Sequence, residues 1–221
     1  AIAVSIGGML SGIFVLPGLA VGITGSSVWL AFLVAALCIL PAVLSKSELG
    51  TAMPKSGGTY VYIERAFGPL FGTIAGIGLW LSLLLKSAFS LVGLSAYLYV
   101  VVNIDEAYTK AIALLALLLI FLLNVFGLKK VEKTQLFIVS TSIISLIVII
   151  ALGLTSFDTK LTEPIFSDGT NGFIAGVAFL YISYAGVTKI AAIAGEITNP
   201  SKNLPLTMII SLFLITTIYC L

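Results

Sequence analysis

Two glycine-bearing interruptions within apolar sequence are the places where this chain could hold a small molecule. The first is Ile6-Gly7-Gly8-Met9-Leu10-Ser11-Gly12-Ile13-Phe14, with Pro17-Gly18 close behind. The second is Phe179-Leu180-Tyr181-Ile182-Ser183-Tyr184-Ala185-Gly186-Val187-Thr188-Lys189. Glycine weakens a helix, and in lipid no water replaces a lost backbone hydrogen bond. Irregular backbone at membrane depth is tolerated only where protein buries it or where it lines a cavity. A helix unwound near Ser11-Gly12-Ile13 would aim main-chain N–H groups into such a cavity at the positive end of a half-helix. That arrangement suits a carboxylate, and the Ser11 hydroxyl adds one bond. A second helix unwound at Gly186 would offer carbonyls to an ammonium group, with Tyr181, Ile182 and Ser183 shaping the pocket. Together the two breaks could grip a zwitterion.

Packing offers a plainer account of each break. Gly8 and Gly12 are four residues apart and share one face of an intact helix, as in a small-residue packing groove. Tyr184 would then mark a helix contact. Packing explains either break alone but not their pairing, and paired Gly-interrupted spans are the sequence pointer to a transporter site.

Other residues carry less chemistry. Lys86 lies deep in Leu83-Leu84-Leu85-Lys86-Ser87-Ala88-Phe89. A lysine at the centre of a membrane helix costs at least about 2.5 kcal/mol on insertion scales. It is either a structural cation bonded to carbonyls or a charge that takes part in coupling. Lys189 reads as a snorkelling side chain. Gly195-Glu196-Ile197-Thr198-Asn199-Pro200 ends one apolar segment, and Pro205 opens the next. Glu196 could cap, pair with nearby lysines or gate. The sequence shows no nucleophile–base arrangement, no phosphate-cradling loop and no metal-ligand spacing, so it reads as a non-enzyme with no cofactor and no metal. There is no His, which removes His-based metal sites and proton relays. Cys38 and Cys220 sit in apolar segments and read as small hydrophobes.

The elements that must position these residues follow from composition. Of 221 residues, 60% are hydrophobic and 9% charged, against about 25% charged in a soluble domain. The solvent of such a chain is largely the lipid bilayer. A net charge of +2, scattered in short loops, gives no sign of nucleic-acid binding. Spans need about 20 mostly apolar residues. Seven are expected, at 1–22, 27–45, 69–102, 109–127, 134–155, 172–195 and 205–221, the last incomplete. Lys46, Lys55, Arg65, Lys129, Lys130, Lys133 and Lys202 fall in loops of one side. Asp105, Glu106, Asp158, Glu163 and Asp168 fall on the other, with Lys110 and Lys160. The positive-inside rule puts the amino end in the cytoplasm. A turn at Pro54-Lys55-Ser56-Gly57-Gly58 precedes a short amphipathic helix, with Tyr60, Tyr62, Ile63 and Phe67 available for the interface. Both ends fall in apolar sequence, so the chain reads as a piece of a longer membrane protein.

Three strings in order carry a family resemblance. GGMLSGIFVLPGLA resembles the first-span motif of amino acid permeases of the amino acid–polyamine–organocation (APC) superfamily. SKSELGTAMPKSGGTYVYIERAFGPLFG resembles their motif after span 2, and YISYAGVTKIAAIAGEITNPSKNLP their span 6. The resemblance implies an all-α integral membrane fold of two inverted five-span repeats, here cut to about seven transmembrane helices with spans 1 and 6 unwound. Residues 1–155 would form the first repeat (spans 1–5), 156–171 an extracellular loop, and 172–221 the start of the second repeat. It implies a multi-pass plasma-membrane transporter moving an amino acid or related amine by alternating access, as an ion symporter (H+ or Na+) or exchanger. By motif position, Gly8, Ser11, Gly12 and Ile13 would meet the carboxylate, and Tyr181, Ile182, Ser183, Ala185 and Gly186 the amino group and side chain. Lys86, Tyr184, Thr188 and Glu196 are the expected coupling or gating residues. Two positions depart from the pattern: Leu10 replaces a glycine common in relatives, and Thr188 stands where some carry an acid. Seven visible spans also fit a receptor or light sensor, but that class usually starts outside, whereas the loop charges put this amino end inside.

Overall fold

A computed structural model describes residues 2–13, 16–102, 106–125, 128–155 and 169–221. Among the described residues all regular structure is helical: α1 (Ile2–Ile13), α2 (Leu16–Thr24), α3 (Val28–Ala52), α4 (Thr59–Phe67), α5 (Pro69–Val102), α6 (Glu106–Val125), α7 (Leu128–Leu154), α8 (Gly169–Tyr184) and α9 (Pro200–Cys220). A one-turn 3₁₀ helix, Gly25–Ser27, joins α2 to α3, and a 3₁₀ segment, Ala185–Glu196, continues α8.

Five helical stretches among the described residues are long and apolar enough to cross a membrane: Leu16–Ala52, Pro69–Leu94, Lys133–Gly153, Gly169–Glu196 and Pro200–Cys220. The first holds 37 residues, nearly twice what one ~30 Å crossing requires. It is divided at Gly25, whose φ of +63° is left-handed. The division falls between the expected spans 1 and 2. The expected span 1–22 is covered by α1 and α2, which flank residues 14–15, outside the described set. The expected span 109–127 falls on α6, Glu106–Val125, whose apolar stretch includes Lys110–Leu122. The expected span 69–102 is α5 in full. Most of the expected loop 156–171 lies outside the described residues.

The chain forms two compact units. One comprises Ala1–Tyr62 with Ile138–Leu221, and the other Ile63–Phe137. In the first, α1–α3 pack with α8, the 3₁₀ segment and α9. Helix α3 buries Ala31, Phe32, Ala35, Ala36, Ile39 and Val43. Helix α9 buries Leu204, Met208, Ser211, Leu212, Ile215 and Tyr219. Both sets repeat at three or four residues, so each helix presents one continuous stripe to its neighbours. The alanines let the α3 backbone come close, as small residues do between membrane helices. Large apolar side chains on the opposite faces, such as Leu37 and Phe213, are exposed. Serines lie inside instead: Ser5, Ser27, Ser183 and Ser211 are buried. An apolar exterior over small interior residues is what a lipid solvent selects. In the second unit α5 packs along α6.

The loop after α3 is held against the 3₁₀ segment by main-chain contacts. Gly57 donates its N–H to the Ala192 carbonyl at 2.9 Å. A Cβ on Gly58, itself at φ +56°, would stand 3.1 Å from the Ala192 Cα, and one on Gly195 would stand 3.0 Å from the Ser56 Oγ. At Gly58 the left-handed φ and the close Ala192 backbone both favour glycine. The amphipathic helix α4 begins where the sequence places it, but Tyr62 does not face an interface. It is buried, its hydroxyl 3.2 Å from where a Gly50 Cβ would lie. Helix α9 starts at Pro200 rather than at Pro205. Pro200 takes a first-turn position, where a missing N–H has no intrahelical acceptor to lose. Pro205 is carried within the helix.

Candidate functional site

Helix α1 runs against α8 and the 3₁₀ segment at the two glycine-bearing stretches. The contact is backbone on backbone. A Cβ on Gly8 would lie 3.2 Å from both the Cα and the carbonyl oxygen of Gly186, and a Cβ on Gly186 would overlap the Gly8 carbonyl and the Met9 nitrogen. One turn along α1, a Cβ on Gly12 would lie 3.4 Å from the Ser183 Oγ and 3.1 Å from the Leu16 Cδ1. Ser183 is 1% exposed, and its hydroxyl has no hydrogen-bond partner.

The expected unwinding is not what this conformation displays. Helix α1 continues through Ser11, Gly12 and Ile13. At Gly186 the helix changes type instead of breaking: α geometry ends at Tyr184 and 3₁₀ geometry follows toward Glu196, with a kink at Ile193, whose φ of −110° and ψ of 20° are not helical. The physical reason is shared by both. An unpaired backbone group in an apolar interior costs several kcal/mol, and helical geometry keeps main-chain groups bonded within the segment. Gly8 and Gly186 serve close approach here, the role the packing account gave to Gly8. The change of type still has a local consequence. Where bonding switches from i→i−4 to i→i−3, one carbonyl at the junction loses its intrahelical donor.

An aromatic cluster fixes this crossing to its neighbours. The Tyr184 hydroxyl donates to the Phe32 carbonyl of α3 at 3.2 Å, and the Tyr219 hydroxyl to the Met9 carbonyl of α1 at 2.8 Å. The rings of Tyr184 and Tyr219 are 5.4 Å apart, and those of Phe32 and Tyr219 4.8 Å. Tyr184 is wholly buried, as its expected place at a helix contact requires. Tyr219, on the last turn of α9, was not among the expected site residues. A lone tyrosine near the end of an apolar segment was its only signal.

Of the expected site residues, the structure brings together Gly8, Gly12, Ser183 and Gly186, with Ile13 packed on the same core. The Ser11 backbone is helical there. Tyr181, Ile182 and Ala185 are exposed in their unit. The Thr188 hydroxyl bonds back to the Ala185 carbonyl at 3.1 Å. Glu196 closes the 3₁₀ segment and is exposed. Lys86 is half-buried on α5 in the other unit. Lys189 is at the crossing: a Cβ on Gly8 would lie 3.4 Å from the Lys189 Cδ. Cys38 and Cys220 are free thiols, and the Cys220 sulfur reaches the Trp29 carbonyl at 3.6 Å. Among the described residues no group of three His, Cys, Asp or Glu side chains could hold a metal ion.

Comparison with known proteins agrees with this architecture. The chain is 30% identical to the serine/threonine exchanger SteT of Bacillus subtilis (strain 168), over 95% of this chain and 49% of that protein. It is 26% identical to the chloroplastic cationic amino acid transporter 7 of Arabidopsis thaliana, over 100% of this chain and 42% of the relative. It is 29% identical to the cystine/glutamate transporter of Pongo abelii, over 96% and 45% respectively. The chain thus spans about half the length of the curated relatives it matches. The amino acid permease family profile matches residues 1–221, from the Gly8–Gly12 stretch of α1 to the last turn of α9, and the chain belongs to that family of multi-pass membrane proteins.

Proposed function

We propose that the protein is a secondary active transporter that moves an amino acid across the plasma membrane by alternating access, as a symporter or an exchanger, with its amino end in the cytoplasm. The observation that carries this reading is the meeting of two glycine-bearing spans, backbone on backbone, at Gly8 and Gly186. Two spans that touch without side chains can separate or close with small movements, and the groups exposed on separation are main-chain donors and acceptors. The names of the relatives support amino acids as the cargo.

In this reading the described conformation is closed at the crossing. Substrate entry parts α1 from the 3₁₀ segment, and unwinding at Ser11-Gly12-Ile13 turns N–H groups toward the carboxylate. The carbonyl released at the α-to-3₁₀ junction accepts from the substrate ammonium. Ser183, whose buried hydroxyl lacks a partner, supplies a further bond, and Tyr181, Ile182 and Ala185 contact the side chain. Lys86, Thr188 and Glu196 are the candidates for H+ or Na+ coupling and for gating. A receptor would not require the family-wide permease pattern over all 221 residues.

The test is uptake by the full-length protein in liposomes. Labelled amino acids should accumulate against an ion gradient or exchange with a preloaded pool. Absence of both across the twenty common amino acids would refute the reading.

A further inference from the structure

We infer that Lys189 sets the charge of the cargo: it is the resident cation of the site, favouring amino acids whose side chain is neutral or acidic and excluding those whose side chain is positive. The inference rests on the transport reading above and deepens it.

The 3₁₀ geometry places the residue. In an α-helix a side chain three positions on is rotated by about 60° from the starting face, whereas in a 3₁₀ helix positions i and i+3 eclipse. Gly186 and Lys189 therefore share one face of the segment. That face meets α1, where the lysine stem packs at Gly8. Gly8, having no side chain, makes the space in which the stem lies. The side chain is half-buried.

Among the described residues, the helices packed on the segment are poor in acidic groups. The segment packs on α1, α3, α8 and α9. Helices α1, α8 and α9 contain no acidic residue, and the one on α3, Glu48, is exposed. Glu196 lies at the end of the segment, beyond the Ile193 kink, and is exposed. The remaining charges nearby in sequence or packing, Lys46, Lys55 and Lys202, are positive. Among the described residues the Lys189 ammonium has no ion-pair partner. Ionisable groups inside membrane spans face the protein interior or a water-filled cavity, and they mark substrate and ion pathways. A substrate carboxylate suits this ammonium, while a second ammonium on the substrate side chain is repelled. At an effective dielectric near 20 and a separation of roughly 6 Å, the repulsion corresponds to about a 100-fold penalty.

The experiment uses the full-length protein in liposomes and the neutral amino acid it transports best. Arginine and lysine should compete at least ten times more weakly than glutamine and methionine, which are of similar length. In Lys189→Gln and Lys189→Met that discrimination should fall by about tenfold or more, and Lys189→Arg should restore it. The Met variant retains the apolar stem against Gly8, so it separates charge from packing if the Gln variant fails to fold. Wild-type protein that carries arginine as readily as glutamine overturns the inference and leaves the transport reading standing. An unchanged discrimination ratio in both neutral variants overturns it equally. Failure to transport any amino acid sinks both.

Discussion

Adding a single methyl group at the crossing should separate two otherwise similar glycines. In Gly186→Ala the new Cβ would overlap the Gly8 carbonyl and the Met9 nitrogen, which are main-chain atoms of a helix on the other side. Carbon atoms rest at about 3.5–4.0 Å, so α1 and the 3₁₀ segment must move apart by an ångström or more. Overpacking a tight interior costs typically 1–3 kcal/mol, and here neither partner is a flexible side chain that can swing aside. In Gly8→Ala the new Cβ would stand 3.2 Å from Gly186 and 3.4 Å from the Lys189 Cδ, so a shift of a few tenths of an ångström relieves it and the cost should stay under about 1 kcal/mol. Thermal unfolding of the full-length protein in detergent should rank wild type, then Gly8→Ala close behind, then Gly186→Ala well below. Transport should follow the same order, with Gly186→Ala losing at least tenfold. The two sites touch, so the double variant should fall short of the sum of the singles. A Gly186→Ala protein with wild-type melting and wild-type uptake would show that the two spans do not meet as described.

Three further substitutions probe the surroundings. Gly12→Val should abolish binding while the protein still inserts, because even a Cβ there is 3.4 Å from the Ser183 Oγ and 3.1 Å from Leu16; wild-type affinity by equilibrium binding would contradict the placement of Gly12 in the site. Tyr219→Phe removes the 2.8 Å bond to the Met9 carbonyl and should lower stability by about 1 kcal/mol, a typical net value for such a bond; an unchanged melting temperature would argue that the bond does not form. Tyr62→Phe should stabilise or leave stability unchanged, since the buried hydroxyl has no partner. Burial also pushes the Tyr62 phenol above its ordinary value of 10.0. The unfolded chain therefore releases that proton first, and stability falls as pH rises from about 10 toward the folded-state value. Tyr62→Phe should flatten this alkaline decline, and identical pH–stability curves for the two proteins would exclude the assignment.

Much of the architecture was legible because lipid imposes simple rules. Helix α5 is bounded by Gly68-Pro69 at one end and by the polar Asn103 at the other, so its apolar run could be read residue by residue. The turn at Pro54–Gly58 was legible for the same local reason, and its two glycines take positive φ. What was not legible is tertiary. Gly8 and Gly186 are recognisable as small residues, but their mutual contact depends on how two distant helices cross. The 3₁₀ segment was read as a break, because sequence alone does not distinguish an unwound helix from a tightened one at Gly186. The alignment of Lys189 is tertiary in the same way: with an α period it stands about 60° round from Gly186, and with a 3₁₀ period the two line up. Tyr62 was assigned to the interface on its amphipathic pattern, and it entered the protein because Gly50 leaves room for its ring. For the start of α9, Pro200 and Pro205 both satisfy first-turn chemistry, and only the fold chooses between them.

The stretched pitch of the 3₁₀ turns before the Ile193 kink has a mechanical corollary. The eight residues 185–192 rise about 16 Å at 3₁₀ pitch and about 12 Å at α pitch, so rewinding shortens them by roughly 4 Å. From Gly186 to Ala192 is about two full turns at 3₁₀ pitch but about one and two-thirds at α pitch. Rewinding would thus swing Ala192 by about a third of a revolution and tear its carbonyl from the Gly57 N–H. These turns are a strut with two lengths, and the 54–58 loop clasps only the longer one.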